Sequence, residues 1–515
     1  MALLLVVYII IGFLLACVAL IYITLVRPQK HVYDVFKVQG IPGEPFIPVI
    51  GQLPNMLRAS KMGKGVDYFN DLAHKHGYRY LVGVGPLIRL VLLEPDLIAD
   101  FLGRSKCENY RKPNDLTLIV KPLAGVHNLL ISEGEEHHRA RKMLNPAFHF
   151  LNLRSMVPIM VNETAKAIDS ILSMSSVSDR IDVETQFSAL TLSIIASSAF
   201  GQGLETIPHA KEIICQSFNN AKDVIEYRAL RLIGLVQFLA DLPFWGKKTI
   251  DEAAKKLNEF VDQAITDRRN GKSKSLCSGE DILDLLLSAV DENHKGFSDQ
   301  QIREEALTFV LAGHETTATL MAWTFYVLMT HEQVLHACRE EVDRVLPNGT
   351  MPDFEHLADL PVIEAVIYET LRLYPPAPFF ARECIKEHTL VSSDGKLEMH
   401  VPVGAMILVH NYALHRREEY WPRPLEFDYT RWMRDSVSGL KPKLPHPFAF
   451  LPFAAGSRNC IGQNFAILEA KIILAMFVQR CEFILLPDQH ITPEMKGVTI
   501  KAKYGLFARI KQRHS

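Results

Sequence analysis

Phe453 to Phe465, "FAAGSRNCIGQNF", sets Cys460 between Gly456 and Gly462, with Arg458 two residues before it. The apolar run that follows, "FAILEAKIILAMFVQ", reads as a buried helix, so the thiol falls at or just before a helix N-terminus. There the free N–H groups and the helix dipole favour a thiolate. Gly456 permits a turn closed to other residues, and Gly462 lets another group approach the chain closely. Taken alone, a single cysteine is more often a buried, inert residue than a reactive one.

Two further groups could do chemistry. "AGHETT", Ala312 to Thr317, lies in the apolar middle of a long helical pattern. A glycine costs about 1 kcal/mol there, and a carboxylate is rarely buried without a partner. Either the helix surfaces with a solvated Glu315, or Gly313 opens space for a flat or gaseous ligand beside a proton-relaying Glu315 and Thr316. In "EAVIYETLRLYPPAPFFARE", Glu369 and Arg372 stand three apart on one helix face and can pair, and Pro375–Pro376 ends that helix. An exposed ion pair of this kind contributes a few tenths of a kcal/mol. The flanking Ala365, Val366, Leu371 and Leu373 instead predict burial, where the pair needs further hydrogen bonds. Arg431 in "FDYTRW" is the candidate third member.

The elements that must position these residues are mostly helical. A capping box at Ser298 and Gln301 opens "QIREEALTFVLAGHETTATLMAWTFYVLMTH", a helix of about 30 residues and roughly 45–50 Å, long enough to cross a domain. "TAKAIDSILSM", "DEAAKKLNEFVDQAITDRRNG" and "HEQVLHACREEVDRVL" carry apolar residues at helical spacing. Strands are predicted in "YRYLVGVGPLIRLVLLE", "HTLVSSDGKLEMHVPVGAMILV" and "FILLP", and Arg268 to Glu280 reads as a surface loop. The fold class is mainly α with small β-sheets, as one large domain.

Composition sets outer limits. The chain has 515 residues, 48% of them hydrophobic, which is ample for a sizeable core. A formal net charge of -2 argues against nucleic acid as a partner, since that affinity comes from Lys and Arg neutralising phosphates. The eight cysteines form no CxxC or similar close pair, so a zinc site or a disulfide framework is not expected. Residues 1–26 carry no charged side chain and can span a bilayer as a helix. No basic segment precedes this run, and it is too long for a cleaved signal peptide, so it reads as an anchor. Residues 27–55 form a linker, basic at Arg27 and Lys30 and turning through four prolines and three glycines from Gly40 to Pro54, and residues 56–515 form the large domain. The positive charges on the C-terminal side place that domain in the cytosol.

"FAAGSRNCIG" resembles the FxxGxRxCxG cysteine loop of the cytochrome P-450 family of heme-thiolate monooxygenases, matched at Phe453, Gly456, Arg458, Cys460 and Gly462. The family's A/G-G-x-D/E-T-T segment is matched by Ala312 to Thr317, its ExxR helix by Glu369 and Arg372, and its PxRF-like arginine by Arg431, all in the family's order. The resemblance implies a heme b (iron protoporphyrin IX) cofactor with Cys460 as the proximal iron ligand. Thiolate ligation in this family pushes electron density toward O–O cleavage. Phe453 and the amides around Gly462 would screen and tune the sulfur, Ala312 and Gly313 would bound the dioxygen pocket, and Glu315 and Thr316 would support proton delivery. Arg458, Arg382 and Arg141 match positions that usually bind the heme propionates. Many members carry tryptophan where this chain has His137, which can still donate a hydrogen bond. Glu369, Arg372 and Arg431 would lock the fold beneath the heme.

The implied reaction is NADPH-supported insertion of one oxygen atom from O2 into a lipophilic substrate, with electrons from an NADPH-cytochrome reductase. The implied location is the endoplasmic reticulum membrane, crossed once. Fatty acids, sterols and xenobiotics all suit, with "KPLAGVHNLLIS" and "FNNAKDVIEYRALRLIGLVQFLADLPFW" as pocket-lining stretches that offer no charged anchor. In one fatty-acid hydroxylase branch a glutamate just before the glycine esterifies the heme. Ala312 stands there, so that attachment is not expected. The alternatives are a heme-thiolate isomerase or dehydratase acting on a peroxide, and a heme sensor without turnover.

Overall fold

A helix opened by a reciprocal capping box organises the molecule. The computed structural model describes residues 2–175, 178–207, 209–229, 242–435, 437–440 and 442–513. In it the Ser298 hydroxyl accepts the Gln301 N–H (3.2 Å), and the Gln301 side chain accepts the Ser298 N–H (3.0 Å). The helix then runs from Asp299 to Thr330. Because its apolar residues are not confined to one stripe, it is buried from both sides rather than laid on a surface.

Its neighbours are the helices Val183–Phe200 and Gln463–Arg480, themselves apolar nearly all round. The three share a core in which Phe187, Phe325 and Phe477 meet with ring centroids 4.7–5.4 Å apart. The Thr191 hydroxyl donates to the His314 carbonyl (2.8 Å), pinning the helix Val183–Phe200 to the turn that carries "AGHETT".

The sheets are small, as expected. Arg79–Val84, Leu87–Leu92, Met406–Val409, Phe380–Cys384 and Tyr110–Arg111 form a five-stranded sheet in that order. Leu87–Leu92 and Met406–Val409 run parallel, and the other neighbours antiparallel. This sheet covers a second core of Tyr80, Leu90 and Leu408. The pairing of Arg111 with Glu383 brings the segment around Lys112 beside Arg382. Ile181–Asp182, Phe507–Gln512 and Cys481–Leu485 form a three-stranded sheet, and Pro493–Lys496 pairs with Thr499–Ala502 as a hairpin.

At the N-terminus, the helix Ala2–Ile21 is uncharged and unburied where described, long and apolar enough to cross a membrane. It continues through a π-helical turn, Tyr22–Val26, into Arg27–Val38, where Val32 and Phe36 are buried against the domain. Irregular chain begins only after that. Its Gly43 meets the strand Arg79–Val84 so closely that a Cβ there would lie 2.5 Å from the Leu81 carbonyl oxygen.

Candidate functional site

The cysteine loop is built around Gly456. Its φ is +77°, and a Cβ there would sit 2.4 Å from the Leu102 carbonyl oxygen, so any side chain is excluded twice over. The Cys460 N–H donates to the Phe453 carbonyl (3.0 Å), and the helix Gln463–Arg480 starts three residues on. Cys460 is exposed by surface area, yet the surrounding chain is dense enough that burial pushes its thiol up. The sulfur therefore faces an internal space, not the outer surface. The Gly462 N–H, Arg141 and Lys112 act the other way and favour the thiolate. Gly456→Ala is expected to cost about 1–3 kcal/mol, read as a lower melting temperature and a poor yield of heme-loaded protein. Wild-type values for both would show that the loop has another conformation open to it.

Around the sulfur the structure gathers basic groups. Arg141 donates to the Asn459 carbonyl (2.7 Å) and to its side-chain oxygen (2.8 Å), gripping the residue before Cys460. Arg458 donates to the Ser132 carbonyl (2.6 Å) and pairs with Glu133. Arg382 and Arg458 repel one another, and burial first and that repulsion second push Arg382 down to about 10. His137 is buried, and burial followed by Arg458, Lys112 and Arg141 pushes it down to about 3, so its imidazole is neutral at physiological pH. Lys112, which no motif singled out, joins this group, with burial, Arg382 and Arg458 lowering it well below the ordinary lysine range. No spacing in the sequence marks it; the pairing of Tyr110–Arg111 with Phe380–Cys384 brings it here.

Three guanidinium groups, Lys112 and a neutral imidazole gather here, and Glu133 is the acid that Lys112, Arg382 and Arg458 share, beside a small cleft that Arg382, Arg458 and Glu133 help to line. Such a cluster of basic groups, short of acids, is completed by an anion, which would also restore the charge on Lys112. The donor set thus fits a flat iron porphyrin with its metal at Cys460 and its two carboxylates among Lys112, Arg141, Arg382 and Arg458.

The central helix is less buried at one turn. Ala312 is exposed, and Gly313, Glu315 and Thr316 half-buried, within a run that is otherwise mostly buried. Thr316 donates its hydroxyl to the Ala312 carbonyl (2.8 Å). At Gly313 the missing Cβ points toward Ile195, 3.0 Å from its Cγ1, so this glycine serves the close approach of two helices. Ala312 is the residue of this turn left uncovered. Glu315 is not simply solvated: Lys501 lies 3.0 Å from it. The residue after Thr316, Thr317, adjoins Glu469, a fully buried carboxyl that burial raises well above its ordinary range and so keeps neutral.

The segment read as "KPLAGVHNLLIS" is tied to the same helix. The Leu129 N–H donates to Glu305 (3.1 Å), whose carboxyl burial pushes up to about 8, and the His127 N–H donates to Glu304. Of the other pocket-lining stretch, residues 230–241 lie outside the described residues.

Glu369 and Arg372 are both fully buried and doubly bonded, Nε to Oε2 at 2.9 Å and Nη2 to Oε1 at 2.8 Å. Arg372 also donates to the carbonyls of His415 (2.9 Å), Pro424 (2.7 Å) and Glu426 (3.0 Å). Glu369 also accepts from the Asp428 N–H (2.9 Å) and the Trp432 indole (2.8 Å), and Arg431 Nε stands 3.4 Å away. The expected third member is thus in place, but closer bonds come from Trp432 and the Asp428 amide, which the motif does not contain.

A family model described as "Cytochrome P450" matches residues 41–507. The chain is 31% identical over 463 residues to "Cytochrome P450 4F12" of Homo sapiens, covering 87% of this chain and 85% of that protein. It is 32% identical over 443 residues to "Cytochrome P450 4A7" of Oryctolagus cuniculus, covering 84% and 82%. Among solved structures, the "Crystal structure of cytochrome P450DA heme domain" superposes with a TM-score of 0.75 at 26% identity, covering 92% of this chain and 98% of that one.

Proposed function

Because the chain belongs to the cytochrome P-450 family, whose members are heme-thiolate monooxygenases, we propose that it inserts one oxygen atom from O2 into a lipophilic substrate with electrons from NADPH-cytochrome reductase. The proposed substrate is a fatty acid, a sterol or a xenobiotic. The proposed setting is the endoplasmic reticulum membrane, crossed once by the N-terminal helix, with residues 56–515 as the catalytic domain in the cytosol. Arg27 and Lys30 on the domain side of the apolar run support that orientation.

Heme, held by Cys460 and its carboxylates by Lys112, Arg141, Arg382 and Arg458, supplies oxygen activation when bound. The protein's own work is narrower. Gly462 and Arg141 stabilise the sulfur's charge. Ala312 leaves the inner turn of the central helix uncrowded, and Thr316 holds a hydroxyl there. Glu315, one residue earlier, can take a proton from solvent and pass it toward that hydroxyl.

The observation that carries this reading is the Ala312–Thr316 turn, where Ala312 is exposed in the middle of a buried helix and Glu315 and Thr316 stand next to one another in the chain. A peroxide isomerase needs no such proton path, and a sensor turns nothing over. The test is reductase-dependent consumption of NADPH and O2 across a panel of fatty acids, sterols and xenobiotics, ranked by their binding shifts of the heme spectrum. Thr316→Ala is expected to keep heme and substrate binding while product per NADPH falls at least roughly tenfold, with peroxide appearing instead. Unchanged coupling would remove Thr316 from the proton path.

A further inference from the structure

One side chain, His415, joins the buried Glu369–Arg372 pair to the cysteine loop. It follows the helical turn Asn411–Leu414 and is fully buried. His415 and Arg372 exchange bonds: Arg372 donates to the His415 carbonyl (2.9 Å), and the His415 Nδ1–H donates to the Arg372 carbonyl (3.3 Å). On the far side of the ring, Nε2 accepts the Leu451 N–H (2.9 Å). A backbone amide can only donate, so Nε2 carries no proton and Nδ1 holds it. Burial first, then Arg372 and Arg416, push the imidazole down to about 3, so it is neutral and keeps both bonds at physiological pH. The ring lies beside Phe450, centroids 5.1 Å apart, and Phe450 packs on Trp432 (4.6 Å), whose indole bonds Glu369.

Leu451 is where the chain turns into the cysteine loop. Its carbonyl accepts the Asn411 side-chain amide (2.9 Å) and the Ala454 N–H (3.1 Å), closing a turn in which Ala454 has φ +54°. An alanine keeps that left-handed conformation only where its surroundings over-determine it. The residue before it, Phe453, accepts the Cys460 N–H (3.0 Å). A continuous run of bonds and chain thus leads from Arg372 through His415 and Leu451 to the amide of Cys460.

We propose that His415 is a positioning residue for the thiolate: its imidazole carries the fixed place of the Glu369–Arg372 pair to Leu451, and so holds the turn that aims the Cys460 sulfur. This rests on the heme-thiolate reading and deepens it. The sulfur keeps its charge only where the Gly462 N–H and Arg141 reach it. When the Leu451 N–H loses its acceptor, the turn is free to relax at Ala454. A displaced sulfur then takes a proton from solvent and becomes a thiol, with no electron moved. The lock beneath the site therefore sets the state of the ligand as well as the stability of the fold.

The test compares full-length, heme-loaded wild type with three variants. His415→Met has neither nitrogen, His415→Gln keeps a donor and an acceptor, and Phe260→Leu is a packing change where Phe260 meets Phe200 (5.0 Å) on the helix Lys247–Arg269. One readout is the ratio of the short- to the long-wavelength Soret band of the ferrous CO complex, which reports thiol against thiolate. The other is amide hydrogen exchange in the peptide spanning residues 448–460. In His415→Met the ratio is expected to rise at least about fivefold, the factor that one buried hydrogen bond is worth in an equilibrium, and exchange to quicken with it. His415→Gln is expected to fall between wild type and His415→Met. Phe260→Leu is expected to lower the melting temperature with both readouts at wild-type values. Unmoved readouts in His415→Met overturn the proposal, and so does an equal change in Phe260→Leu, which would make His415 an ordinary part of the core. Should His415→Met load no heme, Asn411→Ala decides, because it frees the Leu451 carbonyl and leaves the imidazole in place. The ratio and the exchange are expected to move there in the same direction, and unmoved readouts overturn the proposal as well. If wild type itself gives no long-wavelength band, the heme-thiolate reading falls and this inference with it, a result told apart because it shows in the unsubstituted protein and not as a difference between variants.

Discussion

Cys460→Ser is expected to leave the fold standing and remove turnover to background. The side chain faces an internal space, so one oxygen in place of sulfur disturbs little packing. What changes is the charge the ligand can carry. The thiol is pushed up by burial and drawn back by the Gly462 N–H, Arg141 and Lys112, and a metal ion bound to it would complete its deprotonation. A serine hydroxyl in the same place starts far higher and stays protonated. The expected readout is loss of the long-wavelength Soret band that a thiolate-ligated ferrous heme gives with CO, with far-ultraviolet circular dichroism unchanged. A folded variant that kept that band would take the iron away from Cys460.

The second large effect is on stability. Arg372→Ala is expected to destabilise the protein by about 3–5 kcal/mol, because breaking a buried pair strands a charge with no solvent to accept it. Here Glu369 would keep the Trp432 indole, the Asp428 amide and the more distant Arg431, while the carbonyls of His415, Pro424 and Glu426 lose their donor. Arg372→Lys is expected to rescue only a small part, since an ammonium has three donors on one atom and cannot reproduce a planar fork with five. Urea unfolding with an unchanged slope would measure both. A cost below about 1 kcal/mol for Arg372→Ala would assign the fold's lock beneath the site to other contacts.

Much of this site is legible in the sequence because much of it is local. Cys460 sits beside a helix start for reasons contained in about fifteen residues of chain. Glu369 and Arg372 pair because helix geometry places residues three apart side by side. The capping box at Ser298 and Gln301 fixes where the central helix begins, with its first helical residue at Asp299. The basic stretch after Val26 was harder to read. Local composition suggests a linker, but burial of Val32 and Phe36 against the domain continues the helix to Val38.

What the chain by itself determined is therefore the inventory and its local order: an uncharged helix at the N-terminus, a thiol at a helix start, an acid and an alcohol adjacent in a core helix, and a buried pair. Each follows from helical periodicity, capping or hydropathy, which act over a few residues. What only the tertiary structure decided is who meets whom across elements. Lys501 reaches Glu315 because a hairpin crosses the central helix, and Trp432 reaches Glu369 because a single turn of chain folds beneath the pair. Lys112 joins Arg382 because two short strands pair, and Gly313 opens toward Ile195 because two helices pack there at contact distance. No spacing in the sequence encodes these meetings, since the distance between two elements is set by the core that both of them bury.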